Sequence, residues 1–246
     1  MKILAVIIFF YLTILIILYL VQEHLIFFPD ERACAEIKTI PFEGDTLRFI
    51  EKIHPGAKST LIHFHGNAGG ACDRDFVINS LKNVPINIIL AEYPGYSGDN
   101  TFPNLKKIKE NSLHLLKYFQ KRGGSIYLYG ESLGSAISTY LATIEKVDGL
   151  ILQSPFSTLG EVGQSAYPLF PVKWLIKGDF KPQKISSQTL ILIAQEDEII
   201  PKKLSEEQTK FFENVKVFTF PNRTHNDLVL DNQKLWSEVI NFLNPQ

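Results

Sequence analysis

Ser125-Ile-Tyr-Leu-Tyr-Gly-Glu-Ser-Leu-Gly134 is the stretch that decides the fold. Its first half, residues 125–129, is a short run rich in aliphatic and aromatic residues that reads as a strand. Residues 133–143 follow with helical spacing. Between them, Gly130-Glu131-Ser132-Leu133-Gly134 forms a G-x-S-x-G corner. A nucleophile on so sharp a strand-to-helix turn needs a strained backbone, and glycines two residues to either side remove the Cβ atoms that would collide there. The geometry exposes Ser132 at the positive end of a helix, where the Leu133 N–H can meet a carbonyl oxygen that is gaining charge.

Working outward, short apolar runs alternate with amphipathic stretches, the pattern of a mostly parallel sheet covered by helices on both faces. Strands are expected at 35–40, 47–52, 60–65, 87–92, 125–129, 149–153, 190–194 and 216–220, about eight in all. Helices are expected at 105–121, 133–143, 202–212 and 232–242. Pro168 and Pro171 break the helical spacing of 160–184, whose aromatic content suggests a small cap. Over 246 residues, 45% hydrophobic and 21% charged, the chain can bury a core, and a net charge of -1 offers no basic field for nucleic acid. Cys34 and Cys72 form neither a zinc motif nor a disulfide-rich framework, although one bridge between them is open.

A serine hydroxyl needs a base and an acid that orients it. Of six histidines, His24, His54 and His114 read as surface or packing residues. His225 lies in a polar loop after the last strand, at the sheet edge where α/β sites gather. Asp197 follows the 190–194 strand to the same edge and is preferred over Glu196 and Glu198. The order Ser132, Asp197, His225 is that of α/β-hydrolases. The second oxyanion donor is assigned to the Asn67 N–H, in the small-residue loop His65-Gly66-Asn67-Ala68-Gly69-Gly70. A zinc site starting from His63 and His65 lacks a third ligand at chelating spacing, and no G-K-S/T ending makes this loop a phosphate cradle. No metal and no cofactor is expected.

Residues 3–21 are nineteen without formal charge, fifteen of them Leu, Ile, Val or Phe. As a helix they extend about 28 Å, close to the ~30 Å hydrocarbon thickness. They read as a membrane anchor rather than a cleaved signal, whose apolar region is shorter. Lys2 before the span and Glu23 after it place the N-terminus in the cytoplasm and export the rest. The expected division is an anchor and juxtamembrane segment at 1–28 and one catalytic domain at 29–246, working as a monomer.

The chain resembles the α/β-hydrolase superfamily, and within it the membrane-anchored serine hydrolases of the bud-emergence-suppressor type, whose relatives include protein depalmitoylases and lipid hydrolases. The resemblance rests on residues 22–29, His65-Gly-Asn-Ala-Gly69, Glu92-Tyr-Pro-Gly-Tyr-Ser97, the elbow, Ser154-Pro-Phe156 and residues 167–172. It implies an eight-stranded, mostly parallel sheet with Ser132, Asp197 and His225 as nucleophile, acid and base. It departs from the family at Ala194, where glycine is common, and at Asn222-Arg223, where small residues are common. The expected activity is hydrolysis of carboxylic esters or thioesters, with a small or lipid-like acyl group as substrate. The alternatives are a silent scaffold that binds at the membrane and a serine peptidase of the same fold.

Overall fold

The computed structural model describes residues 2–176, 178, 180 and 182–244. Lys177, Asp179 and Lys181 of the expected cap, and Met1, Pro245 and Gln246 at the ends, lie outside the described residues. The chain opens with helix α1 (Lys2–Ile26), followed by β1 (Phe28–Pro29), β2 (Lys38–Phe42), β3 (Asp45–Lys52), β4 (Ser59–Phe64) and β5 (Ala68–Gly69). Next come α2 (Asp75–Ser80), β6 (Asn87–Glu92), α3 (Leu105–Lys121), β7 (Ser125–Glu131), α4 (Leu133–Ile144) and β8 (Gly149–Gln153). The cap helices α5 (Leu159–Ala166) and α6 (Val172–Leu175) precede β9 (Gln188–Ala194), α7 (Lys202–Glu206), β10 (Val215–Phe220) and α8 (Gln233–Leu243).

Eight strands form one sheet in the order β10-β9-β8-β7-β4-β6-β3-β2, parallel except where β3 pairs antiparallel with β2 and β6. Alternation along each strand sends side chains to opposite faces. Ile62, Phe64, Leu128, Leu152 and Ile191 pack beneath α3 and α4, while Leu61, Tyr129, Ile151 and Leu190 pack against α2 and α8. Helix α3 starts where the Asn104 side chain accepts the Lys107 amide at 2.8 Å, and it buries Ile108, Leu115, Leu116 and Phe119 along one stripe. Burying a side chain of that kind is worth about 1.5–3 kcal/mol, so this stripe outweighs the helix's modest intrinsic propensity.

The expected strands and helices are present, with three differences that have physical causes. Strand β2 begins later than expected, because Cys34 is joined to Cys72 and a turn from Cys34 to Ile37 intervenes. The expected helix at 202–212 relaxes after Glu206 into a 3₁₀ turn, Glu207–Phe211, where the Thr209 hydroxyl bonds the Glu206 carbonyl at 2.8 Å. Helix α1 continues past Val21 to Ile26 and is long and apolar enough to cross a membrane. Elements that went unread in the sequence include α2, the short cap helices α5 and α6, and the parallel pairing of β1 with β5, which ties the chain leaving α1 to the loop after β4.

The topology places the site. From β4 the chain moves one way to β6, then returns to the other side of β4 as β7 and continues outward. The end of β4 therefore lies beside the end of β7, with Phe64 opposite Gly130. Such a switch point opens a crevice at the carboxyl ends of the strands, into which the loops after β4, β7, β8, β9 and β10 all project.

Candidate active site

Ser132 links β7 to α4 with φ 52° and ψ −113°, and it is 7% exposed. A side chain other than glycine with positive φ is held there against its own preference. Neighbouring bonds do the holding: the Ser132 amide donates to the Gln153 carbonyl at 3.0 Å, and the Ser135 hydroxyl donates to the Ser132 carbonyl at 2.6 Å. The flanking glycines are required sterically. A Cβ at Gly130 would strike the Gly134 carbonyl, and one at Gly134 would strike the Phe64 carbonyl. A Cβ on Gly66 would lie only 3.7 Å from that of Ser132, so the loop after β4 runs directly alongside the elbow.

That loop is held by its carbonyls. Tyr93 Oη donates to the His65 carbonyl at 2.9 Å, and Tyr96 Oη donates to the Asn67 carbonyl at 2.8 Å, as does the Phe28 amide at 3.0 Å. The amides of Asn67 and Leu133 donate to no group among the described residues. Two unused N–H groups beside an elbow are the kind of donor that a tetrahedral oxyanion needs.

His225 and Asp197, from different loops, come together: Nδ1 lies 2.9 Å from both carboxylate oxygens. Asp197 Oδ2 also accepts from Ser154 Oγ at 2.7 Å, and Oδ1 accepts from the amides of Ile199 and Ile200 at 3.0 and 2.7 Å. Burial raises the pKa of Asp197, but the hydrogen bonds from His225, Ser154 and Ile200 together outweigh it and hold the carboxyl below its ordinary range. The Asp197 carboxyl is thus ionised at neutral pH. The His225 amide donates to Glu198 Oε2 at 3.1 Å, so Glu198, a competitor for the acid's role in the sequence, here anchors the His225 backbone. No hydrogen bond joins Ser132 Oγ to His225 among the described residues.

Several supporting residues were missed in the sequence. Ser154, itself at φ 46°, carried only family resemblance as a signal. Arg223, one of the departures from the family, donates to the carbonyls of Asp227 and Leu230, both at 3.0 Å, and closes the loop that carries His225. Arg74 grips Glu131 through Nε and Nη2 at 2.9 and 2.8 Å and also reaches the Ala68 carbonyl at 3.1 Å, linking the elbow to the loop after β4. Burial raises the Glu131 pKa, but Arg74, together with His63 and His65, outweighs it and keeps the carboxyl below its usual range.

Neither strand histidine bonds to Ser132, Asp197 or His225 among the described residues, although His63 Nε2 lies 3.9 Å from Glu131 of the elbow. His65 is sealed, with Nε2 3.1 Å from Glu92 and Nδ1 2.7 Å from the Gly66 carbonyl. His63 is fully buried, with Nδ1 lacking a partner and its ring edge-on to Tyr129; burial drops its pKa to about 3. Among the described residues, no group of three His, Cys, Asp or Glu side chains is placed to hold a metal ion.

No protein-family model matches the sequence. Protein bem46 of Schizosaccharomyces pombe is 25% identical over 208 residues, covering 76% of this chain and 68% of its own. The uncharacterized membrane protein YNL320W of Saccharomyces cerevisiae is 27% identical over 243 residues, covering 87% and 82%. Among solved structures, Est1E from Butyrivibrio proteoclasticus with ferulic acid bound superposes with a TM-score of 0.69 at 22% identity, over 84% of this chain and 96% of Est1E.

Proposed function

Since the chain belongs to the α/β-hydrolase superfamily, we propose that it is a serine hydrolase of carboxylic esters or thioesters, with Ser132 as nucleophile, His225 as base and Asp197 as the acid that orients it. The observation that carries this reading is the backbone of Ser132, a non-glycine residue held at φ 52° beside two amides that donate to no group among the described residues. Strain of this kind persists only where the surroundings impose it, and it clusters at functional sites. Structural likeness to Est1E, solved with ferulic acid bound, supports the same class.

In this reaction Ser132 Oγ attacks the acyl carbonyl carbon while its proton passes to His225 Nε2. Asp197 stays ionised and stabilises the imidazolium, and the Asn67 and Leu133 amides stabilise the oxyanion, each by about 2.7–4 kcal/mol. Collapse breaks the bond to the leaving alcohol or thiol, which takes the proton from His225. Water activated by the same imidazole then releases the carboxylic acid. The Ser132–His225 hydrogen bond is expected to close when substrate binds, since such contacts are often long in free enzymes.

The reading also covers location. Residues 1–28 are the anchor segment and 29–246 the catalytic domain; Lys2 before the span keeps the N-terminus cytoplasmic, and the Cys34–Cys72 disulfide suits an exported, oxidising environment. The test is a short-chain fluorophosphonate probe on the full chain in detergent. Labelling that disappears in Ser132→Ala, with kcat on p-nitrophenyl butyrate down on the order of 10⁶-fold, is the expected result. A parent chain that takes no label would instead be the silent scaffold, and one that cleaves peptide amides but no ester would be the peptidase.

A further inference from the structure

Helix α1 does not lead into the domain through a free linker. The Asn67 side chain donates to the Ile26 carbonyl at 2.8 Å, the Phe28 amide donates to the Asn67 carbonyl, and Phe27 is buried at 3% exposure. The end of the anchor is therefore bonded to the residue assigned as an oxyanion donor. Farther up the helix, the Tyr11 ring stacks on Phe170 of the cap, with centroids 6.1 Å apart and planes 11° from parallel. Between these two fastenings α1 and the cap enclose an apolar groove of about 710 Å³.

The walls of that groove come from both sides. Ile14, Leu18 and Leu25 lie along one face of α1, and Val162 and Ala166 of α5 stand opposite. Asn67, Glu198 and Ile199 also line it, so the groove reaches the loops that carry the assigned oxyanion donor and acid. From Ile14 to Ile26 it follows the helix for roughly 18 Å. The cap is apolar and bare beside the groove: Leu169 is 88% exposed, Trp174 86% and Tyr167, which also lines the groove, 63%. Large apolar side chains clustered in the open beside a membrane-length helix mark a surface that meets lipid, with Trp and Tyr at its interfacial level.

From this geometry we infer that α1 is one wall of the substrate site: the groove between α1 and the cap holds a single extended acyl chain drawn sideways from the bilayer, with its carbonyl at Ser132. The inference rests on the serine hydrolase reading. It makes the anchor a specificity element as well as an attachment, with Leu18 and Ala166 setting how long a chain fits.

The test uses the full chain in phospholipid nanodiscs and a hexadecyl fluorophosphonate carrying a photoactivatable diazirine near the chain end. Labelling of Ser132 followed by cross-links to α1 residues 14–25 or to α5 is the expected result. Labelling with cross-links confined to other parts of the domain overturns the groove and leaves the hydrolase standing. No labelling overturns the hydrolase reading, and the groove falls with it. As a second measurement, Leu18→Trp and Ala166→Trp each fill the groove from one wall, and each is expected to lower the ratio of kcat/KM for p-nitrophenyl palmitate over butyrate tenfold or more. An unchanged ratio in both variants also overturns the groove.

Discussion

Two imidazole–carboxylate pairs stand at the same edge of the sheet, one after β4 and the other in the loops after β9 and β10. Their separations are nearly equal, 3.1 Å for His65–Glu92 and 2.9 Å for His225–Asp197. They differ in what else the imidazole touches. Both nitrogens of His65 are engaged, and the pair is fully buried beneath Tyr93 and Tyr96. His225 uses Nδ1 alone, and its Nε2 has no partner among the described residues. A base must keep one nitrogen available to receive a proton, so the first pair fastens the loop after β4 and the second has the form that proton transfer needs. The distance between partners does not separate the two roles; the remaining nitrogen does.

The sharpest way to break this comparison is to remove the acid from each pair. Asp197→Asn is expected to lower kcat on a short p-nitrophenyl ester by about 10⁴-fold, because the imidazole loses the partner that fixes its tautomer and stabilises its charge. Glu92→Gln is expected to change kcat by less than tenfold, yet to cost about 3 kcal/mol of stability in denaturant unfolding. That carboxylate also accepts from Ser97 Oγ at 2.6 Å and from the Ala71 amide at 3.0 Å, all without solvent to replace it. Equal losses of kcat in the two variants would dissolve the distinction.

A third histidine sharpens it at a smaller scale. Burial holds the His63 pKa at about 3, below its unfolded value near 6.5. The unfolded chain therefore binds a proton that the folded chain refuses. The stability this represents is complete above about pH 6.5 and is lost as pH falls toward 3, with a slope of up to ~1.4 kcal/mol per pH unit. Asp197, Glu131 and Glu92 have depressed pKa values, so their contributions are lost only at lower pH, as each is protonated. Between pH 6.5 and 4.5, His63→Gln should flatten the dependence of unfolding free energy on pH, measured by urea titration at each pH. A slope identical to that of the parent would contradict it.

The smallest effect belongs to the cap. Trp174→Ala should change unfolding free energy by no more than about 0.5 kcal/mol, because an 86% exposed side chain has little packing to lose. In nanodiscs containing brominated lipids, Trp174 fluorescence in a Trp236→Phe background is expected to be quenched. Unquenched emission would mean that the cap stands clear of the bilayer.

Much of this was legible in the primary structure because it depends on neighbours in the chain. Strand β6, helix α3 and strand β8 begin and end where their apolar spacing says. The glycine-flanked elbow is a five-residue fact, and its steric reason, the collision of any Cβ at Gly130 or Gly134 with backbone, holds in the fold. The pairing of Arg74 with Glu131 spans 57 positions, and that of Ser154 with Asp197 spans 43, so no local pattern could mark them. Arg223 looked like a departure from its relatives, yet it closes a turn that only the folded loop contains.

The sequence by itself determined the α/β alternation, the strained corner at Ser132 and the apolar length of α1, since periodicity, glycine and side-chain hydropathy act within a few residues of where they stand. Only the tertiary structure decided which imidazole keeps a nitrogen unengaged, which carboxylate it meets and what α1 packs against. Those depend on strand order: the switch at β4 gathers chain ends far apart in sequence at one edge of the sheet, and burial there sets which polar groups find partners.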